Sequence, residues 1–207
     1  MAEAIDLSKE SISSGGGPFG TVIVRDGKIV GRGMNRVTTW NDPTAHGEIV
    51  AIREACKNLN SFQLDDCILY TSCEPCPMCI GAIYWSRPKA IYFANTREDA
   101  ASIGFDDAFI YEQINVLYLN RKRPFHQIMR KEAITVFQSW TEKEDKIRAN
   151  KNIDSIEEKR KEMMEEKSDG GIINTKEEKQ IPTPKMNESY VTDDFDEKKA
   201  LLAVKVA

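Results

Sequence analysis

The stretch TyrThrSerCysGluProCysProMetCys at 70–79 sets Cys73, Cys76 and Cys79 three residues apart. A thiolate is both a nucleophile and a metal ligand. Pro75 ahead of Cys76 marks a helix start, so a helix from about residue 75 places Cys76 and Cys79 at i and i+3 in its first turn, pointing the same way. The unpaired N–H groups and the dipole at that helix end favour the thiolate form. Cys73 lies in the strand-to-helix turn and reads as a small packed side chain. An iron–sulfur cluster needs four thiolates, and the remaining cysteines, Cys56 and Cys67, lack the usual spacing for one. A catalytic zinc instead needs a third protein ligand and one position kept for water. The chain has two histidines. His46, in ThrAlaHisGlyGlu at 44–48, has Glu48 two residues on, whereas His126, in ProPheHisGln at 124–127, has no acidic partner at suggestive spacing.

His46, Gly47 and Glu48, a gap of 26 residues, then ProCysProMetCys make a compound pattern. It resembles the signature of the zinc-dependent deaminases. One imidazole and two thiolates leave a bound Zn²⁺ with about zero net site charge, and such a metal activates water at its open position. Glu48 beside it would take a proton from water and deliver it to a ring nitrogen and then to a departing amine. On an ideal helix, residues two apart diverge by about 200°. His46 and Glu48 therefore both face one ion only if His46 sits at the helix edge.

Alternating elements must hold these residues. Residues 2–12 read as a short helix, broken by GlyGlyGlyProPheGly at 15–20. Strands at 21–24 and 28–31 flank Asp26-Gly27, a two-residue hairpin turn. Asn41-Asp42-Pro43 reads as a cap followed by proline at the first helical position, and Ile49, Ile52, Cys56 and Leu59 then follow a helical period. Residues 67–71 read as a strand, the cysteine helix stops at Arg87-Pro88, and 90–94 read as another buried strand. Asp106 to Ile114 reads as helix and 134–137 as a strand. The order is that of an α/β fold with helices packed on a sheet.

Composition bounds the rest. With 207 residues, 41% of them hydrophobic, the chain supports one well-buried core. No apolar run approaches the roughly 18 residues of a membrane span, and the first twenty lack the pattern of a secretory signal. The reading is a cytoplasmic protein with no membrane partner. Five cysteines, three of them clustered, suit metal binding in a reducing compartment better than disulfides. A net charge of −4 sets up no field that would draw nucleic acid. Residues 1–140 carry 15 basic and 16 acidic side chains and hold every Trp and Cys, whereas residues 141–207 carry 14 and 17. The division is a deaminase domain at 1–140 and a charged, mostly disordered tail at 141–207. Within the tail the spacing of Ile153, Ile156, Met163 and Met164 allows a solvated helix over about 152–167, and 181–184 is linker-like.

From GlyGlyProPheGly at 16–20 to PheGlnSerTrp at 137–140 the chain resembles the guanine deaminases of the cytidine deaminase-like superfamily. The features carrying this are AsnAspProThrAlaHisGlyGlu at 41–48, the cysteine segment at 70–79, GlyAlaIleTyrTrp at 81–85, and GlyPheAspAspAlaPheIleTyr at 104–111. The resemblance implies a three-layer α/β/α sandwich on a five-stranded mixed sheet, a homodimer, and hydrolysis of guanine to xanthine and ammonia. It assigns His46, Cys76 and Cys79 as zinc ligands and Glu48 as the proton carrier. It also assigns Asn35 and Asp107 to the purine edge, Phe19 and Trp85 to aromatic walls of the pocket, and the backbone of Gly47 to substrate contact. Core packing explains Phe19 and Trp85 equally well, and helix capping is the competing role for Asp107. Three departures accompany the resemblance, the first being a short initial helix. Gly47 stands where this family usually has Ala, and the chain after Trp140 turns highly charged where the family closes its site with a swapped, aromatic-ended segment.

Other substrates share the zinc chemistry: guanosine, cytosine and the adenosine of a tRNA. Against the last, the basic cluster is only Arg121-Lys122-Arg123, a small footprint for an RNA backbone. A different class is a non-catalytic zinc module in which Cys73 takes the water's place as a fourth ligand.

Overall fold

A computed structural model gives the architecture and describes residues 1–145. One compact unit spans Met1–Phe125, and a second begins at His126. The first unit runs α1 (Ala2–Ser13), β1 (Gly20–Arg25), β2 (Lys28–Met34), α2 (Val37–Trp40), α3 (Gly47–Leu59), β3 (Ile68–Cys73), α4 (Pro77–Ser86), β4 (Ala90–Asn95), α5 (Arg97–Ser102) and α6 (Ala108–Asn115), then a 3-10 turn at Tyr118–Asn120. The second contains α7 (Arg130–Glu142).

The sheet has four strands in the order β2-β1-β3-β4. β1 is antiparallel to both neighbours, and β3 and β4 are parallel. The β1–β2 hairpin turns on Asp26 and Gly27, both at positive φ, as the sequence predicts for a turn whose twist matches its strands. Helices cover both faces. Gly20 meets α1, where an added Cβ would lie 2.3 Å from the Ala4 carbonyl oxygen. Gly31 and Gly33 meet α3, where a Cβ on Gly33 would lie 2.0 Å from the Gly47 carbonyl oxygen. With no side chain between them, β2 and the first turn of α3 are in backbone contact, which fixes where His46 and Glu48 can be. Ile23, Ala51, Ala55, Leu64, Cys67, Leu69 and Ile83 form the buried core beneath this layer.

Four element readings are corrected. β4 (Ala90–Asn95), expected to be buried, is exposed from Ile91 to Asn95, since it is paired on one side only among the described residues. Asn41-Asp42-Pro43 does not open the long helix. Asn41 closes α2 in the left-handed region, and Asp42 Oδ1 accepts from the Thr44 N–H at 2.8 Å and the Thr44 hydroxyl at 2.7 Å. That turn delays the helix to Gly47, because a side-chain carboxylate satisfies the local backbone in a non-helical way. The cysteine helix likewise begins at Pro77 rather than near Pro75, since a residue preceding proline is pushed to extended backbone and Cys76 sits at ψ 167°. Residues 134–137 belong to α7, not to a strand. Their apolar side chains fit either period, and the hydroxyls of Thr135, Ser139 and Thr141 donate to helix carbonyls of Glu132, Thr135 and Phe137. A fifth strand is therefore not among the described residues, and the tail from residue 146, with the helix expected at 152–167, lies outside them. No helix among the described residues is long and apolar enough to cross a membrane.

Candidate active site

Two helix beginnings meet at the C-terminal end of β3. His46 is the N-cap of α3, with extended backbone at φ −71° and ψ 157°, and Cys76 is the N-cap of α4 at φ −66° and ψ 167°. The capping position resolves the angular problem of the sequence. His46 stands outside the helix, so it and Glu48, in the first turn, converge from different backbone directions. Cys79 lies two residues inside Pro77 and is fully buried.

The donor atoms of His46, Cys76 and Cys79 all lie within 4.8 Å of one another. His46 Nδ1 is 3.6 Å from the Sγ of Cys76 and 3.6 Å from that of Cys79. A tetrahedral zinc with sulfur at about 2.3 Å and nitrogen at about 2.0 Å holds those atoms about 3.5 Å apart. The residues present therefore fit zinc. The thiols are coupled. Cys76 is pulled down to about 4, chiefly by the hydrogen bond from the Cys79 thiol, with His46 adding to it against the cost of burial. Cys79 is pushed up, first because that bond uses its proton and then by burial. His46 is raised, chiefly by its hydrogen bond with Cys76.

Cys73 stands apart. It is buried, its Sγ donates to the Thr96 carbonyl oxygen at 3.5 Å, and burial followed by the nearby Glu48 carboxylate pushes its thiol up to about 11. It is not in the donor cluster. Three protein donors with no fourth among the described residues is the arrangement of a catalytic zinc, and a closed structural site would need another.

Glu48 is buried, 6% exposed. Burial is the main reason its carboxyl is raised above the usual range. Its Oε2 faces Cys79 Sγ at 3.4 Å and its Oε1 accepts from the Thr71 hydroxyl at 3.5 Å. His46, Glu48 and Cys76 open onto a cleft of about 580 Å³, also lined by Phe19, Asn35, Arg97, Phe105 and Asp107. Asn35 Oδ1 accepts from the backbone N–H of Val37 at 3.2 Å and of Gly17 at 3.4 Å. That fixes the amide so that its NH₂ is left to donate to an occupant. Phe19 lies edge-to-face on Phe105, with ring centroids 4.9 Å apart. Asp106 and Asp107 differ in what they bond at the start of α6. Asp106 Oδ1 accepts from the Ala108 N–H at 2.9 Å, while Asp107, at the N-cap of α6, makes no side-chain cap bond.

Similarity to known proteins follows the same residues. The cytidine and deoxycytidylate deaminase zinc-binding region matches residues 1–95. Guanine deaminase of Bacillus subtilis is 57% identical over 141 residues, spanning 68% of this chain and 90% of the relative. The chain belongs to the guanine deaminase family. The crystal structure of guanine deaminase from Bacillus subtilis superposes with a TM-score of 0.70 at 54% identity, covering 72% of this chain and 95% of that one. A tRNA-specific adenosine deaminase from Aquifex aeolicus is 41% identical over 91 residues, 44% of this chain and 60% of its own length.

Against this family background, two assigned residues are not brought to the cleft. Trp85 stands on α4 and is 68% exposed. Gly47 is buried against β1 and β2, where an added Cβ would meet Thr21 Oγ1 at 3.2 Å and the Gly33 and Phe19 carbonyl oxygens at 3.4 Å. Conversely, the reading of the sequence missed Phe105, Glu74 and Arg97 on the cleft wall. Glu74 Oε2 accepts from the Arg97 N–H at 3.1 Å, and the Arg97 guanidinium lies 5.3 Å from the Tyr111 ring centroid. Their positions in the sequence carry no period or spacing that marks them. The GlyGlyGly run at 15–17, read only as a helix breaker, also lines the cleft.

Proposed function

We infer that this chain hydrolyses guanine to xanthine and ammonia. The observation carrying this is a metal-spaced imidazole and thiol pair beside a buried carboxylate, facing an Asp107 whose side chain is uncommitted to its own helix. His46, Cys76 and Cys79 would hold zinc, which when bound supplies a Lewis acid that activates water. Water adds to the ring carbon bearing the amino group. Glu48 takes one of its protons and passes it to the adjacent ring nitrogen. A second transfer through the same carboxylate reaches the amine, so a C–O bond replaces the C–N bond and nitrogen departs as ammonia. Burial suits Glu48 to this work, because it raises the carboxyl above its usual range and so makes it a better proton acceptor.

Recognition needs acceptors for the N–H groups of guanine and a donor for its ring acceptors. Asp107 offers the first and the Asn35 amide the second. Phe19 and Phe105 supply an aromatic flank. The substrate is a small purine base, which places the protein in purine metabolism. Arg121 and Lys122 support no RNA site, since they lie over the rings of Phe125 and Phe109. Five free cysteines accord with a cytoplasmic location. A homodimer, each chain built on a five-stranded sheet, is what the resemblance implies. Its support is exposed Tyr84 and Trp85 on α4, and exposed Ile91, Tyr92 and Phe93 on a strand paired on one side only among the described residues. The division into a deaminase domain at 1–140 and a charged tail is proposed on composition.

Ammonia release from purified zinc-loaded protein tests the reading, with guanine, guanosine, 2′-deoxyguanosine, adenine, cytosine and cytidine as substrates. Guanine is expected to give the highest kcat/KM. A higher value for any other substrate overturns the assignment.

A further inference from the structure

A carboxylate that shuttles protons must be held so that its lone pairs meet the substrate in one orientation. Glu48 has two side-chain neighbours of this kind, Cys79 at Oε2 and Thr71 at Oε1. A cysteine that serves as a thiolate ligand has no proton to donate, which leaves the Thr71 hydroxyl. Thr71 is itself supplied. Thr21 and Thr71 are direct partners in the β1–β3 register, both are fully buried, and the Thr21 hydroxyl lies 3.0 Å from that of Thr71. The direction of the chain follows from chemistry. The Thr71 hydroxyl donates to the Glu48 carboxyl oxygen, and its lone pairs are then free to accept from Thr21. The 3.5 Å reach from Thr71 to Glu48 is in keeping with unliganded sites, whose catalytic hydrogen bonds are often long.

Gly47 completes the arrangement. A methyl group there would be closed in by Thr21 Oγ1 at 3.2 Å and by two carbonyl oxygens at 3.4 Å. The hydroxyl is the only one of the three neighbours on a side chain, so it would be the one to move. Gly47 is thus the residue that leaves the Thr21 hydroxyl its place.

We propose that Thr21 and Thr71, given room by Gly47, are positioning residues that orient the Glu48 carboxylate from behind. This rests on Glu48 being the proton carrier. It distinguishes the pair from two threonines that merely satisfy each other in a core, since a pair of that kind would affect stability and leave turnover alone.

The test is steady-state kinetics on guanine with zinc per chain and Tm measured alongside. Thr71→Val is expected to lower kcat about tenfold, the size of one lost hydrogen bond, with KM changed less than about twofold and zinc retained. Thr71→Ser restores kcat to within about threefold. Thr21→Ala lowers kcat about threefold, and adding it to Thr71→Val costs nothing more, because it acts through Thr71. Gly47→Ala lowers kcat a few-fold in the natural chain and not at all in the Thr21→Ala background. A kcat within about twofold of the natural chain in Thr71→Val, losses that multiply in the Thr21/Thr71 double variant, or an effect confined to KM or zinc overturns the proposal. If Thr71→Val does not fold, the comparison of Thr71→Ala with Thr71→Ser decides the same point. Glu48→Gln separates the two levels. Appreciable turnover there sinks the role of Glu48 itself, whereas an inactive Glu48→Gln with an unaffected Thr71→Val sinks the positioning role alone.

Discussion

Asp107→Asn makes the recognition argument quantitative. The Asp107 carboxylate, free of its own helix, would accept two N–H donors from the guanine edge. Each hydrogen bond to a charged group contributes about 1.5–3 kcal/mol. The residue is only partly desolvated, so the lower figure applies; the amide keeps one acceptor oxygen, so one charged bond lost and the other reduced to a neutral one come to about 2 kcal/mol, or about 30-fold in kcat/KM. The amide also presents an NH₂ to a substrate N–H, which adds to the loss. The neighbouring Asp106→Ala is the internal control. It removes the acceptor for the Ala108 N–H and should cost about 0.5–2 kcal/mol of stability, read as a Tm lowered by a few degrees. Its loss in kcat/KM should be far smaller. The assay is initial-rate ammonia release over a range of guanine concentrations, on protein with verified zinc content. Asp107→Asn within about threefold of the natural kcat/KM would refute the reasoning, as would Asp106→Ala proving the more damaging to turnover.

Other outcomes follow from the same geometry. Glu48→Gln should fold and retain zinc yet release no ammonia, checked by elemental analysis beside the activity assay. Cys73→Ser should keep one zinc per chain, since Cys73 lies outside the donor cluster, whereas Cys76→Ser should lose it; metal lost from Cys73→Ser would revive the four-ligand structural site. Leu69→Ala, at a fully buried position, should destabilise by about 2–5 kcal/mol in denaturant unfolding. Arg97→Ala should raise KM for guanine a few-fold and spare zinc, because Arg97 joins the loop of Glu74 to Tyr111, one helical turn beyond Asp107.

What was legible in the sequence was what short-range chemistry dictates. Asp26-Gly27 named its own turn, and cysteines three apart after a proline named a shared direction. The spacing of His46 and Glu48 was legible as chemistry but opaque as geometry, because only the placement of Gly47 at the head of α3 shows that His46 caps the helix. Pro43 misled because Asp42 uses its carboxylate to build a turn instead of a helix start. Residues 134–137 misled because a four-residue apolar run has no period of its own, and neighbours on the helix decide. Trp85 illustrates a third limit, since an aromatic residue on a helix declares burial or exposure only through what packs against it. The Thr21–Thr71 pair was invisible for the converse reason: two hydroxyls fifty residues apart become neighbours only through strand register.

Bare backbone contact between Gly33 and the opening of α3 seats the imidazole and the carboxylate on the sheet as one body. A side chain grown at that junction would wedge the imidazole and the carboxylate away from the sulfurs together, so hydrolytic competence is inherited or lost as a block. The segment proposed to contact the base is strung differently, entering through Gly104 at φ 95° and continuing through Phe105 and the two aspartates. New preferences among bases can therefore be explored by rewriting a handful of residues there while the water-splitting half of the molecule stays as it is.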